Sequence, residues 1–326
     1  MGRAISDTFL DDLKKGCLKE VLSAVHNDTT LIMELRGNSV IIYYRGGALY
    51  TITESTDGYK VSYNPAYWDI VKKYSELTET PSIKDSVEKI ALYKDQMDYH
   101  MANAKRTLEK QSQQRIVLEN NILGKVASEK GGTTGDYFIL DIEYAYKDGK
   151  GLDARFDAVA LNFPSTGLQR KNRNNLGISF IEMKYYDSAM DGDSGIQKHI
   201  NDYLAFIQRP EYHEMCRDME YVFYQKCVLG LIPAYTTRLQ NDENYYRITI
   251  DYSKVDFVFM FANRDPDSIL AKRELQEAIR IHGVEATKSI YVAKSSDVGY
   301  VMFRYANNGK TDRYIPISEY VNNEAV

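Results

Sequence analysis

Two short β-rich stretches carry charges where a strand enclosed in a sheet admits none without partners. In Leu152–Leu161, strand alternation places Leu152, Ala154, Phe156, Ala158 and Ala160 on one face and Asp153, Arg155, Asp157, Val159 and Leu161 on the other. In residues 178–186, the apolar run Phe180-Ile181 leads directly into Glu182-Met183-Lys184. Glu182 and Lys184 stand two apart and project from the same face. Ionised groups at the end of an apolar strand need each other or a metal ion, because leaving water uncompensated costs several kcal/mol per charge, on the order of what a whole domain can spare.

The rest of the chain reads as alternating strands and helices. Phe9, Leu10, Leu13, Cys17, Val21 and Val25 recur at helical spacing, which predicts one helix over about residues 6–25. Four β-rich runs follow, at Thr30–Arg36, Ser39–Tyr44, Ala48–Thr53 and Tyr59–Tyr63. They are separated by Gly37-Asn38, Gly46-Gly47 and Asp57-Gly58, dipeptides that supply the positive φ of tight hairpins, so an antiparallel meander is expected. Pro81 opens a long helical stretch to about residue 128, in which Val87, Ile90, Met97, Met101, Ala104 and Leu108 mark a helix packed within the molecule or a short coiled-coil seam. Beyond Gly131-Gly132, strands are expected at 137–146, 152–161 and 177–186, helices at about 194–208 and 211–228, and an apolar strand at 254–262. A helix capped by Asp267 to about Ile281 and strands at 289–293 and 300–305 complete the order. The expected class is α/β, α+β over the whole chain, with a mixed sheet flanked by helices. The expected domains are an N-terminal helix and meander at 1–80, a connecting helix at 81–111 and a C-terminal domain at 112–326.

Composition narrows the function. The 326 residues hold 41 Lys+Arg against 46 Asp+Glu, and a net charge of -5 argues against a protein that coats nucleic acid. No apolar run approaches the roughly 20 residues that span a bilayer, and the opening residues reach Asp11 without the apolar core of a secretory signal. Three cysteines form no disulfide framework and fit a reducing compartment, so a cytoplasmic protein without membrane partners is expected. Phosphate-loop, dinucleotide and serine-hydrolase glycine motifs are absent.

An Asp on one strand and Glu-x-Lys on the next form a chemically coherent set. Hard oxygen ligands suit Mg²⁺ or Mn²⁺, the metal neutralises a phosphodiester and acidifies a bound water, and a neighbouring lysine orients or deprotonates that water. Asp157, Glu182-x-Lys184 and a following helix with Gln197 resemble the PD-(D/E)XK nuclease superfamily over about residues 112–265, including its α-β-β-β-α-β order. The resemblance implies a restriction-endonuclease-like mixed sheet and a Mg²⁺- or Mn²⁺-dependent nuclease. Asp157 and Glu182, with the Met183 carbonyl, would be metal ligands and Lys184 the water-activating residue. Glu119, on the helix before the first strand, and Gln197 would complete the catalytic set. The substrate would be DNA or RNA, with a role in defence or DNA processing by analogy. Phe156 stands where the family's proline would be, 25 residues separate Asp157 from Glu182, and Gln197 and Tyr203 are six apart rather than four, which leaves the subgroup open.

The residues alone also allow Glu182 and Lys184 as a surface strand pair, with Asp157 on Arg155 or a helix N-terminus. A catalytically inactive protein of the same fold, acting as a binding or scaffold subunit, is the alternative function. Asp141 and Glu143, alternating on the first core strand, could reach the metal and are expected rather to line its solvent-facing side, with His199 beside the site. Arg170, Lys171 and Arg173, in the amide-rich loop 169–175, are candidate phosphate or base contacts. The N-terminal domain or the long helix is the expected surface for a homodimer or protein partner.

Overall fold

A computed structural model describes residues 2–28, 31–44, 47–63, 136–149, 151–164, 171–185, 187–232, 246–262, 269–293, 295–296, 299–300, 304 and 314–322. The connecting helix at 81–111, Glu119 and Arg170 lie outside the described residues. The chain divides into two compact units, Met1–Glu129 with Tyr221–Tyr246, and Lys130–Glu220 with Arg247–Val326.

The first unit contains helices α1 (Asp7–Lys14) and α2 (Lys19–Asn27) and strands β1 (Leu31–Leu35), β2 (Ser39–Tyr44), β3 (Gly47–Ser55) and β4 (Gly58–Tyr63). The strands form an antiparallel meander in chain order, as expected. The single helix expected over residues 6–25 is instead two. The break falls at Gly16, whose N–H bonds to the carbonyls of Asp11 and Asp12. A Cβ on Gly16 would come within 2.7 Å of the Asp12 Cα, so the chain can fold back here only on glycine. Ser6 caps α1 by accepting the Phe9 N–H. Phe9, Leu13, Val21 and Val25 are buried, and the Phe9 ring lies 4.8 Å from that of Tyr59 on β4.

The second unit is built on a six-stranded mixed sheet. Its strands are β5 (Tyr137–Lys147), β6 (Asp153–Asn162), β7 (Leu176–Tyr185), β8 (Ile250–Ala262), β9 (Ile290–Ala293) and β12 (Ile315–Pro316), and their order across the sheet is β12-β9-β8-β7-β6-β5. β5, β6 and β7 run antiparallel to one another, β7, β8 and β9 run parallel, and β12 closes the edge antiparallel to β9. β9 stands where the strand at 289–293 was expected, a short hairpin of β10 (Ser295–Ser296) and β11 (Gly299–Tyr300) follows it, and most of the strand expected at 300–305 lies outside the described residues. The crossover between β7 and β8 carries α3 (Ile196–Ile207) and α4 (Pro210–Val228), whose residues from Tyr221 belong to the first unit. α5 (Leu270–His282), α6 (Val284–Thr287) and α7 (Ile317–Tyr320) bring the described helices to seven.

The core under α3 is aromatic. Tyr203 stacks on Phe257 at 5.0 Å, Phe156 lies 4.4 Å from Phe180, and Phe206 meets Phe156, Phe180 and Tyr146. Phe156, Phe180, Phe206 and Phe257 are at most 1% exposed, and burying each contributes about 1.5–3 kcal/mol. This cluster fixes α3 against β6, β7 and β8 and so sets the position of everything in the first turn of α3. Among the described residues, no helix is long and apolar enough to cross a membrane.

Candidate active site

The last registered pair of β6 and β7 in this direction is Ala158 opposite Ile181. Beyond it the Asp157 side chain takes over from the backbone, and the Met183 N–H donates to Asp157 Oδ2 at 2.7 Å. The Asp157 carboxylate is therefore set against the Glu182–Met183 peptide. Glu182 and Lys184 follow on β7, where Lys184 Nζ donates to Glu182 Oε1 at 2.9 Å. The same ammonium donates to the Ser194 carbonyl. Glu182 is 4% exposed and Lys184 2%, so these charges are enclosed and not on a surface.

Ser194 reaches Lys184 because the segment after β7 folds back on itself. Two 3₁₀ turns, Asp187–Ala189 and Gly192–Ser194, place the fully buried Met190 between them, and the Ile196 N–H returns to the Met190 carbonyl. At Gly195 a Cβ would lie 2.5 Å from the Asp191 carbonyl carbon, a contact that a side chain cannot occupy.

His199 completes the cluster. It lies in the first turn of α3, four residues before Tyr203, so both share the face turned to the sheet. Its Nε2 is 3.0 Å from Glu182 Oε1. Burial, and then the Lys184 ammonium, push the His199 pKa down to about 3. The ring is thus held neutral against the carboxylate.

Helix phase sends Gln197 elsewhere. Its Nε2 donates to the Glu274 carbonyl on α5 and not to Glu182. Tyr203 is fully buried, its hydroxyl 3.1 Å from Ser289 Oγ, and belongs to the core.

Asp141 is fully buried, against the expectation of a solvent-facing side chain, whereas Glu143 is exposed. The register of β5 against β6 slips between Ile139 and Asp141, and Glu143 sits at φ 54, so simple alternation fails along β5. Nothing in the sequence marked this bulge. The loop with Lys171 and Arg173 joins β6 to β7 at the end of the sheet where Asn162 pairs with Gly177, away from the end that carries Asp157 and Glu182. Lys171 is exposed and Arg173 half-buried there.

Among the described residues no group of three or more His, Cys, Asp or Glu stands ready to hold a metal. Compared with protein-family models, curated proteins and solved structures, the chain matches none.

Proposed function

We propose that this protein is a divalent-metal-dependent nuclease of the PD-(D/E)XK type, acting on phosphodiester bonds of DNA or RNA. The observation that carries this reading is the meeting of Asp157, Glu182 and Lys184 where β6 and β7 part, with the Asp157 carboxylate bonded to the peptide between Glu182 and Met183. The strand order supports it: three antiparallel strands, a helical crossover and a fourth strand parallel to the third.

The donor set is chemically suited to Mg²⁺ or Mn²⁺, since it offers two hard carboxylates on adjacent strands beside the Met183 backbone. Asp157 and Glu182 would hold the ion, and waters or the substrate phosphate would complete its shell. A bound divalent ion supplies charge neutralisation at the phosphodiester and a more acidic water. Lys184 places a positive charge beside the same carboxylate, where it holds and orients a water and counters developing negative charge. His199 stays neutral and packs its ring against Glu182 Oε1, which limits the positions open to that carboxylate. The acidic set becomes attractive to phosphate only with the cation in place, so the net charge of the chain is no obstacle.

The enclosure of the cluster favours a second reading. Lys184 already donates to Glu182 and to Ser194, and both charged side chains are buried. In a silent member of such a fold this ion pair would be structural, and the protein would act as a binding subunit.

The two readings part in a cleavage assay on single- and double-stranded DNA and RNA with Mg²⁺ or Mn²⁺. Metal-dependent cutting that Asp157→Asn reduces by about 10²-fold or more supports the nuclease. Equal cutting by Asp157→Asn sinks the site assignment, and no cutting of any substrate favours the binding subunit.

A further inference from the structure

We propose that the opposite end of the same sheet holds a second site, which binds a phosphorylated small molecule of the nucleoside monophosphate class. The inference is independent of the nuclease reading. A pocket of about 590 Å³ opens toward the starts of β7, β8 and β9, and Asn162, Asp256, Tyr291 and Arg304 are among its lining residues. The registers Asn162 with Gly177, Ile178 with Val255 and Phe257 with Ile290 bring these strand starts to one place. Glu182 lies five residues further along β7, about 16 Å at 3.3 Å per residue. The volume falls within the range typical of small-molecule sites, roughly 300–1,000 Å³.

Four of the lining residues are tied together. Arg304, 4% exposed, donates to Asp256 Oδ2, and its guanidinium lies 4.2 Å from the centre of the Tyr291 ring. Asn162 also donates to Asp256 Oδ2, at 3.5 Å. Lys254 and Lys288 stand at the rim. Lys254 donates to the Asn175 carbonyl at 2.9 Å and pairs with Asp251, while Lys288 pairs with Glu285. Both lysine side chains are more than half exposed, and such surface pairs are worth little, about 0–1 kcal/mol, so a ligand anion can replace them.

Charge and chemistry select the ligand. The lining carries Lys254, Lys288 and Arg304 against Asp256, two positive charges in excess once a ligand anion displaces Asp251 and Glu285, the partners of the two lysines outside the lining. That matches a phosphate monoester, which carries about -1.5 to -2 at neutral pH. The pocket is much larger than a phosphate alone requires. Asn172 and Asn175, from the amide-rich loop singled out in the sequence, add side chains that both donate and accept, as the edges of a nucleobase require. Tyr291 adds an aromatic ring to the same lining. The loop thus has a use at this end of the sheet, not at the carboxylate end.

The test is calorimetric titration of the full chain with adenosine, guanosine, cytidine and uridine 5′-monophosphates, the matching nucleosides and inorganic phosphate. At least one monophosphate is expected to bind saturably and more tightly than its nucleoside or phosphate. Lys254→Ala with Lys288→Ala, both at exposed positions, should weaken it by about tenfold or more, as loss of charge-assisted hydrogen bonds does. Asn172→Ala should weaken the monophosphate while leaving phosphate unchanged. No saturable binding by any monophosphate overturns the proposal. So does equal affinity of nucleoside and monophosphate, or binding that the double lysine variant retains in full.

Discussion

Lys184 is a buried ammonium whose partners come from two directions: Glu182 on its own strand and the Ser194 carbonyl from the segment beyond it. The shared face of Glu182 and Lys184 was legible from spacing alone, because residues two apart on a strand project to the same side. The Ser194 bond was not, since nothing local announces that a loop will return its carbonyl to a particular amine. His199 gives this cluster a pH signature. Its folded pKa of about 3 lies below the ordinary histidine value of 6.5, so between these values the unfolded chain binds more protons. Stability contributed by the neutral ring is fully present above pH 6.5 and is lost as the pH falls toward 3. One such proton gives a slope of up to about 1.4 kcal/mol per pH unit. Urea unfolding at a series of pH values should show this slope, and His199→Gln, which keeps a polar side chain beside Glu182 but does not titrate, should flatten it. An unchanged slope in that variant would assign the acid sensitivity to other groups.

At the scale of elements, the strand and helix order was readable and the irregularities within elements were not. The meander, the three antiparallel strands, α3, α4 and the apolar strand β8 all stand close to where periodicity placed them. The N-terminal helix broke at Gly16, and the β5 bulge buried Asp141, because close backbone contacts override local preference. Gly195 is the element-scale position most open to test. A methyl group there would press on the Asp191 backbone and push the turn that carries Ser194 away from Lys184. Gly195→Ala is therefore expected to cost about 1–3 kcal/mol, the usual range for overpacking, seen as a lower thermal midpoint. In the nuclease reading it should also change the rate of cleavage. A midpoint equal to the parent's would show that the turn yields freely.

At the scale of the whole molecule, pairing between distant residues decides how the chain is divided. In the first unit, Lys226 Nζ lies 2.9 Å from both oxygens of Glu34, a separation of 192 residues, and both are buried. Gln225 clamps the Ile5 backbone through both its N–H and C=O groups, and the His26 ring meets the Leu229 carbonyl. These bonds explain why residues from Tyr221 group with the N-terminal unit although sequence order placed them in the C-terminal domain. Lys226→Met alone should destabilise the protein by about 1–3 kcal/mol, because the buried Glu34 carboxylate loses its hydrogen-bonded ammonium and keeps the more distant Arg36 guanidinium, 3.9 Å away. Adding Glu34→Leu should recover most of the loss. Chemical denaturation of both variants checks this, and an equally damaged double variant would mean that packing, not charge, holds the pair.

The sequence by itself determined the mixed α and β class, the antiparallel meander, and the placing of an acid and a lysine on one face of β7. These follow from periods of two and 3.6 residues, which are local. Only the tertiary structure decided that Asp157 bonds the Met183 peptide, that His199 and not Gln197 meets Glu182, and that the amide-rich loop lies at the far end of the sheet. Those outcomes depend on strand register and on the phase of α3 over the Phe156–Phe180–Phe257 cluster. Register and phase are set by how side chains far apart in the chain pack together, and no window of neighbouring residues carries that information.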